Sequence, residues 1–457
     1  MAFEIPNYFL ADLEPEAEFT TQMVTEACLT LRRNGERYLA SRDTASIIRI
    51  LTITAENWLE EDYPFRQIAL EQGPRETGFA RDILQAGLDH FFTQLTGENL
   101  EDLLLQELGH LKRLDRPCAA RCEAGAGKDA LVTGPSLITH YAAGNVPVPA
   151  MMSMVLGLLV RSAQFVKCAR GASFIPRLFA HSLYATDAKV GSCLEIAEWK
   201  GGKEKHLEEV LHRHSECVTA TGTDETLDAI HHRLPARTRF LGYGHQVSFG
   251  YVTKEVMEGH QVKRLVRAAA DDVVAWDQLG CLSPHVFYVE NDGKDQALRF
   301  AELLADELEK REQAVPRGKV SKKTAAEIAS RRSLYEVRSA HLPDTVRHWC
   351  SEGSTAWTVV FENDPLFQLS CLNRFIYVKA VPGLDDLFKG AEMVREHVST
   401  VGLAAAEEEK EELALRFARW GASRICPLGR MQRPPLTWRH DGRPLLGDLV
   451  RWTDWEQ

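Results

Sequence analysis

The sequence predicts an α/β protein built on mostly parallel sheets. Three observations carry that prediction. Over residues 129–242, short β-like apolar runs alternate with segments of helical period. The alternation resumes, less regularly, over 243–425. A chain of 457 residues also exceeds one ordinary core and suggests two or three domains.

Residues 1–115 read as a helical N-terminal region. "AEFTTQMVTEACLTLRRNGERYLA" and "ARDILQAGLDHFFTQLTGENLEDLLLQELGHL" repeat apolar positions every three or four residues and carry no chemical motif. From 129 on, "ALVTGPSLITHY" predicts a strand, "MMSMVLGLLVRSA" a helix and "QFVKCA" a strand. "FIPRLFAHSLYATD" predicts a helix, "SCLEIAEW" a strand, "KEKHLEEVLHRH" a helix, "ECVTAT" a strand, "ETLDAIHHRL" a helix and "RTRFLGYG" a strand. Parallel sheets bind ligands beyond the carboxyl ends of their strands, so the turns "AGNVP", "KCARG" and "TGTD" are candidate site segments.

The second half predicts a helix in "QVKRLVRAAADDVVAW", then strands in "HVFYVE", "TAWTVVFE" and "RFIYVKAV". "LAAAEEEKEELALRFARW" reads as one helix stopped by Gly421. The tail, 426–457, is rich in Pro, Gly and Trp and reads as coil packed on the body, because tryptophans are costly to leave in water. The implied divisions are 1–115, 116–242, 243–425 and 426–457.

Composition narrows the function. With 44% hydrophobic and 26% charged residues the chain is ordinary for a soluble globular protein. A net charge of −11 argues against a broad nucleic-acid surface. The ten cysteines are scattered and "CAARC" has no second pair at zinc spacing, so reduced thiols in a cytoplasmic protein and no metal site are expected. The opening stretch is acidic where a secretory signal is basic, and the longest apolar run, 145–160, is short for a membrane span.

Cys281 stands in "DQLGCLSPH", 277–285, between Gly280 and Pro284. A thiol packed in a core needs no bend; a nucleophile does, since its sulfur must project and nearby N–H groups can then hold an oxyanion. Both readings fit the stretch alone. Asn145, in "AAGNVPVP", offers a neutral amide at a strand end, or simply a turn residue. Lys167 and Arg170, in "FVKCARGAS", place two cations at another strand end. Thr221, Gly222 and Thr223 lead into a helix, with Thr221 and Asp224 in capping-box positions. His245 lies in glycine-rich "FLGYGHQVSFGYV" and could lower the thiol's pKa or shuttle protons.

Taken in order, "GNVP", "VKCA", "ATGT" and "DQLGC" resemble the strand-end, cofactor-lysine, Thr-Gly-Thr and catalytic-cysteine segments of the aldehyde dehydrogenase superfamily. "GYGHQVSFGYV", "DQLGCLSPHVFYVE" and "RICPLGRMQRPPLTWRHDGRPLLGDLVRW" resemble more closely its acyl-CoA reductase (LuxC-like, fatty acid reductase) family, over about residues 130–457. The resemblance implies a Rossmann-like cofactor domain, an α/β catalytic domain with the site in the cleft between them, and a homo-oligomer. It implies Cys281 as nucleophile, Asn145 and the Cys281 N–H as oxyanion donors, and His245 as proton carrier. It implies Lys167, Arg170, Thr221, Gly222, Thr223 and Glu362 as cofactor-binding residues.

Two departures sharpen the expectation. The hydrolytic relatives keep a water-activating glutamate where this chain reads "FLGYGHQVSF", and no Asp or Glu occurs between Asp228 and Glu255. An acyl–cysteine without that base should wait for hydride. The NAD-preferring relatives carry a glutamate where this chain has Arg170, a residue that suits the 2′-phosphate of NADPH. The expected activity is NADPH-dependent reduction of an acyl thioester (acyl-CoA, a fatty acyl group, or an acyl carrier or acyl-activating partner enzyme as donor) to the aldehyde. The alternatives are a hydrolytic NAD(P)-dependent aldehyde dehydrogenase and a non-redox acyl-carrying protein.

Overall fold

The computed structural model describes residues 5–14, 17–123, 125, 127–259 and 261–456; the first four residues of the acidic opening stretch lie outside it. The strands in chain order are β1 Lys128–Thr133, β2 Leu137–Tyr141, β3 Ala163–Cys168, β4 Leu194–Glu198, β5 Cys217–Thr221, β6 Arg239–Tyr243 and β7 Val247–Val252. They continue as β8 Pro284–Glu290, β9 Val346–Cys350, β10 Thr358–Glu362, β11 Phe375–Val381, β12 Val398–Ala404, β13 Arg424–Pro427 and β14 Arg451–Glu456.

A first sheet has the order β4-β3-β2-β5-β6 and is parallel throughout. The chain winds outward from β2 to β4, then returns to the other side of β2 with β5. That reversal opens a crevice at the carboxyl ends of β2 and β5, where ligands of such sheets bind. A second sheet has the order β13-β12-β7-β8-β11-β10-β9, with only β9 antiparallel. The chain crosses from one sheet to the other between Tyr243 and Val247. Strands β2, β3, β7, β10 and β11 are buried along their whole length, as strands covered on both faces are.

The structure corrects three sequence expectations. The run "ALVTGPSLITHY" is two strands, β1 and β2. A side chain at Gly134 between them would come within 2.1 Å of the Val160 carbonyl. β1 belongs instead to a two-stranded antiparallel ribbon with β14. The tail is therefore not all coil, and Trp452 and Trp455 on the ribbon are 41% and 53% exposed. "LAAAEEE" begins as the end of β12, and the helix starts only at Lys410. The N-terminal helices share one continuous core with the first sheet. Among the described residues no helix is long and apolar enough to cross a membrane.

Candidate active site

Cys281 lies between a 3-10 turn, Ala275–Gln278, and β8. Trp276, Asp277 and Gln278 all adopt left-handed backbone, with φ of 52°, 49° and 65°. Each such residue costs roughly 1–2 kcal/mol, so the surroundings must enforce the conformation. A second left-handed run does so: Leu372, Asn373 and Arg374, with φ of 56°, 56° and 63°. The buried Arg374 donates through Nε to Asp277 Oδ1 at 2.9 Å, and Gln278 Nε2 donates to Phe375 O at 2.9 Å and to Pro284 O at 2.8 Å. Asp277 also accepts the Gly318 N–H at 3.0 Å. Beneath the turn, the ring of Trp276 packs so closely on helix Arg81–Gln94 that a side chain at Gly87 would come within 2.0 Å of it. The N-terminal helices thus form the floor of the nucleophile loop.

Cys281 is an exposed residue. The protein packed around its sulfur, and the negative charge of Asp441, push the thiol up to about 12; the Cys281 and Leu282 N–H groups pull the other way.

Asn145 follows β2 in an exposed turn and reaches across from the first sheet, donating from Nδ2 to Leu279 O at 2.7 Å. Its second Nδ2 hydrogen is left for an acceptor near Cys281. From the second sheet, Ser248 Oγ donates to Cys281 O at 2.9 Å and accepts the Thr400 N–H at 3.2 Å. From the tail, Gln432 Nε2 donates to Ser283 Oγ, and its amide sits where a side chain at Gly280 would point. Cys281 is thereby gripped from both sheets and from the tail.

His285 is a participant that the sequence reading missed, although it closes the quoted stretch. It is buried at the start of β8, and its Nδ1 accepts the Ser370 N–H at 3.1 Å. Burial, with His245 adding to it, pushes its pKa down to about 4. The neutral ring then carries its proton on Nε2, an assignment that follows from that hydrogen bond. His245 itself is exposed, and the group it bears on is His285.

Lys167 is 5% exposed at the end of β3. Its Nζ lies 6.0 Å from the Trp199 ring centroid and has no hydrogen-bond or ion-pair partner among the described residues. Burial lowers its pKa, while Glu208, Cys168 and Glu198 partly restore it. A buried cation without a partner is what an anionic or polyhydroxylated ligand would satisfy. Arg170 is exposed and lines a cleft of about 1010 Å³ together with Lys200, Lys203 and Arg177. The nearby Glu198 is already engaged, accepting the Gly171 and Ser173 N–H groups at 2.5 and 3.1 Å.

Thr221 ends β5, and Gly222 donates its N–H to Tyr243 O at 3.2 Å. The helix cap is Thr223, which accepts the Thr226 N–H, and not Thr221 as the spacing suggested. Asp224 turns toward the Gly244–His245 turn, where its Oδ1 accepts the His245 N–H at 3.4 Å. The placement of Glu362 among cofactor residues gives way. Its two oxygens accept from Lys379 Nζ and Arg338 Nη1, both at 2.5 Å, in the core of β10 and β11. The tail's Asp441, 160 residues on in sequence, adds negative charge that disfavours the thiolate.

Two parallel sheets, one offering carboxyl ends and the other amino ends to a cysteine between them, make the aldehyde dehydrogenase architecture. The protein is similar in structure to the gamma-glutamyl-gamma-aminobutyraldehyde dehydrogenase of Burkholderia cenocepacia J2315, with a TM-score of 0.71, 13% identity, and coverage of 94% of this chain and 88% of that one. It is similar too to the NAD-dependent benzaldehyde dehydrogenase of Corynebacterium glutamicum, with a TM-score of 0.69, 12% identity, and coverage of 96% and 91%. At such identities these likenesses establish the fold alone.

The family follows from the sequence. The family model of acyl-CoA reductases (LuxC) matches residues 39–452, and the chain belongs to that family. It is 22% identical over 429 residues to the long-chain acyl-protein thioester reductase of Vibrio harveyi, covering 92% of this chain and 84% of the relative. It is 21% identical over 426 residues to that of Aliivibrio fischeri, covering 90% and 82%.

Proposed function

We propose that this protein reduces an acyl thioester to the aldehyde through an acyl group held on Cys281, with NADPH as the reductant. The observation that carries the reading is the convergence on Cys281. The exposed Cys281 has beside it an amide donor from the first sheet and N–H groups that favour its thiolate, and Lys167 ends β3 with no hydrogen-bond or ion-pair partner among the described residues. The relatives' substrates are acyl groups on protein, so the donor class includes acyl-protein as well as acyl-CoA.

Cys281 Sγ attacks the acyl carbonyl, and the Asn145 amide and the Cys281 N–H hold the oxyanion. The donor's C–S bond breaks and its thiol departs with a proton. Lys167, Thr221, Gly222 and Thr223 would hold the cofactor, with Arg170 as the partner for a 2′-phosphate. The reduced nicotinamide would supply hydride to the thioester carbon. The balance then requires one proton on sulfur as the aldehyde leaves, and His245 is the proposed carrier that brings it from solvent. Leu366 and Leu369, 63% and 51% exposed beside the Ser370 that contacts His285, offer apolar surface to a fatty chain.

One observation favours a second reading, hydrolytic oxidation of an aldehyde: the negative charge of Asp441 acting on the thiol. Assays in both directions separate the two. Long-chain acyl-CoA with NADPH should yield trapped aldehyde and one equivalent of oxidised cofactor. Acid formed from aldehyde and NAD, with no reduction of acyl-CoA, would reverse the conclusion.

A further inference from the structure

Strands β3 and β4 lie side by side with Cys168 opposite Glu198, so the turns that follow them are neighbours. The β3 turn carries Arg170, and the β4 turn carries Lys200 and Lys203; all three are exposed and line the cleft of about 1010 Å³. Glu198 ties the turns together: its oxygens accept the Gly171 and Ser173 N–H groups. The β4 turn is held at Gly202, whose N–H donates to Glu208 Oε1 at 3.1 Å and whose φ of 73° is left-handed. At Gly201 the backbone passes so close to Lys167 that a side chain there would come within 3.5 Å of its Nζ. Trp199, buried and also lining the cleft, leaves its Nε1 without a hydrogen-bond partner among the described residues. The N-terminal segment supplies a further wall. It is pinned where the Leu10 N–H donates to Glu195 Oε1 at 2.7 Å and where Arg177 Nη1 donates to Ala11 O at 2.6 Å.

These contacts sort the cations of the cleft. Arg177 is engaged by Ala11 O and by Asp12 Oδ1 at 3.6 Å. Arg170, Lys200 and Lys203 have no hydrogen bond or ion pair through their side chains among the described residues, although Glu14, Glu18 and Glu204 line the same cleft. Like charges gathered in one cleft repel until a counter-charge joins them. Resting on the proposed cofactor reading, we infer that Lys200 and Lys203 complete, with Arg170, a site for a phosphate monoester borne on a ribose. Such a phosphate carries nearly two negative charges at neutral pH and three acceptor oxygens, a match for several unpaired cations. A bare anion would answer the cations but leave the buried donors of Lys167 and Trp199 unmet; a ribose brings hydroxyl oxygens for them. The cleft is also of the size that takes a nucleotide rather than a single ion. Two groups of this chemistry belong to the proposed reaction, the 2′-phosphate of NADPH and the 3′-phosphate of coenzyme A. The recognition of the phosphorylated ribose thus falls to two turns and not to Arg170 alone.

The test is titration calorimetry on the full chain with adenosine 2′,5′-bisphosphate, adenosine 3′,5′-bisphosphate and AMP, which differ only in the second phosphate. The wild type should bind one bisphosphate about tenfold or more tighter than AMP. The 2′,5′ isomer binding tighter assigns the site to NADPH, and the 3′,5′ isomer binding tighter assigns it to coenzyme A. In the double variant Lys200→Gln, Lys203→Gln that margin should shrink to about threefold or less, through weaker binding of the bisphosphate and not tighter binding of AMP. A margin that survives in the variant would overturn the inference and leave the phosphate to other groups. Equal affinities of the wild type for all three would overturn it too. A wild type that binds neither NADPH nor AMP would instead defeat the cofactor reading beneath it. The unmodified protein gives a second readout. The favoured bisphosphate should slow acetylation of Lys200 and Lys203, read by peptide mass spectrometry, more than AMP does; equal protection by AMP would contradict the site.

Discussion

The two sides of the crevice are built differently. On the Cys281 side two left-handed turns lock one another through Arg374, Asp277 and Gln278, and Ser248, Gln432 and Asn145 hold the loop from outside. On the side proposed for the cofactor the groups stand more open. Lys167 has no hydrogen-bond or ion-pair partner among the described residues, Arg170 is exposed, and Thr223 caps its own helix. The contrast separates two tasks. A nucleophile must be held within a fraction of an ångström before substrate arrives, whereas a site for an exchanging cofactor must keep donors unpaired for it.

Substitutions can break that contrast, the largest effect coming first. Arg374→Ala leaves Asp277 buried with its principal cation gone, in a place where burial already pushes its carboxyl up. Denaturant unfolding should show a loss of about 3–5 kcal/mol, and Cys281 acylation should fall with it. Glu362→Gln removes one of the two carboxylates paired with the buried Lys379, leaving Asp364, and should cost about 2–3 kcal/mol in the same measurement. Cofactor affinity should stay unchanged, and a large loss of affinity would restore Glu362 to the cofactor site. Lys167→Met should behave in the opposite way: cofactor binding by titration calorimetry weakens about 10- to 100-fold, while thermal stability holds or rises, since an unpaired buried cation has been removed. Arg170→Glu is the subtlest, lowering the preference for NADPH over NADH about tenfold in steady-state kinetics with little change in NADH turnover.

The same contrast explains what the sequence could reveal. The strand–helix alternation, the bend at Cys281 and the cations after β3 are local features, readable from neighbours within a few residues. Ser248 reaches Cys281 and Gln432 reaches Ser283 across gaps of 33 and 149 positions, and no local pattern encodes such a meeting. His285 was within view, but a histidine at a strand start carries no signal until its Nδ1 is seen to be occupied. The errors have the same origin. β12 runs into an alanine- and glutamate-rich turn whose helix propensity is high, and its burial between β7 and β13 overrides that propensity. Glu362 matched a motif by spacing, yet spacing cannot tell a carboxylate facing a ligand from one facing Lys379.

The account rests on Cys281 as the atom that carries the acyl group, and intact mass spectrometry tests that claim most directly. Incubated with long-chain acyl-CoA and no nicotinamide cofactor, the wild type should gain one acyl mass that disappears when NADPH is added, while Cys281→Ala should gain nothing. An adduct of the same mass on Cys281→Ala would place the nucleophile elsewhere and contradict the account.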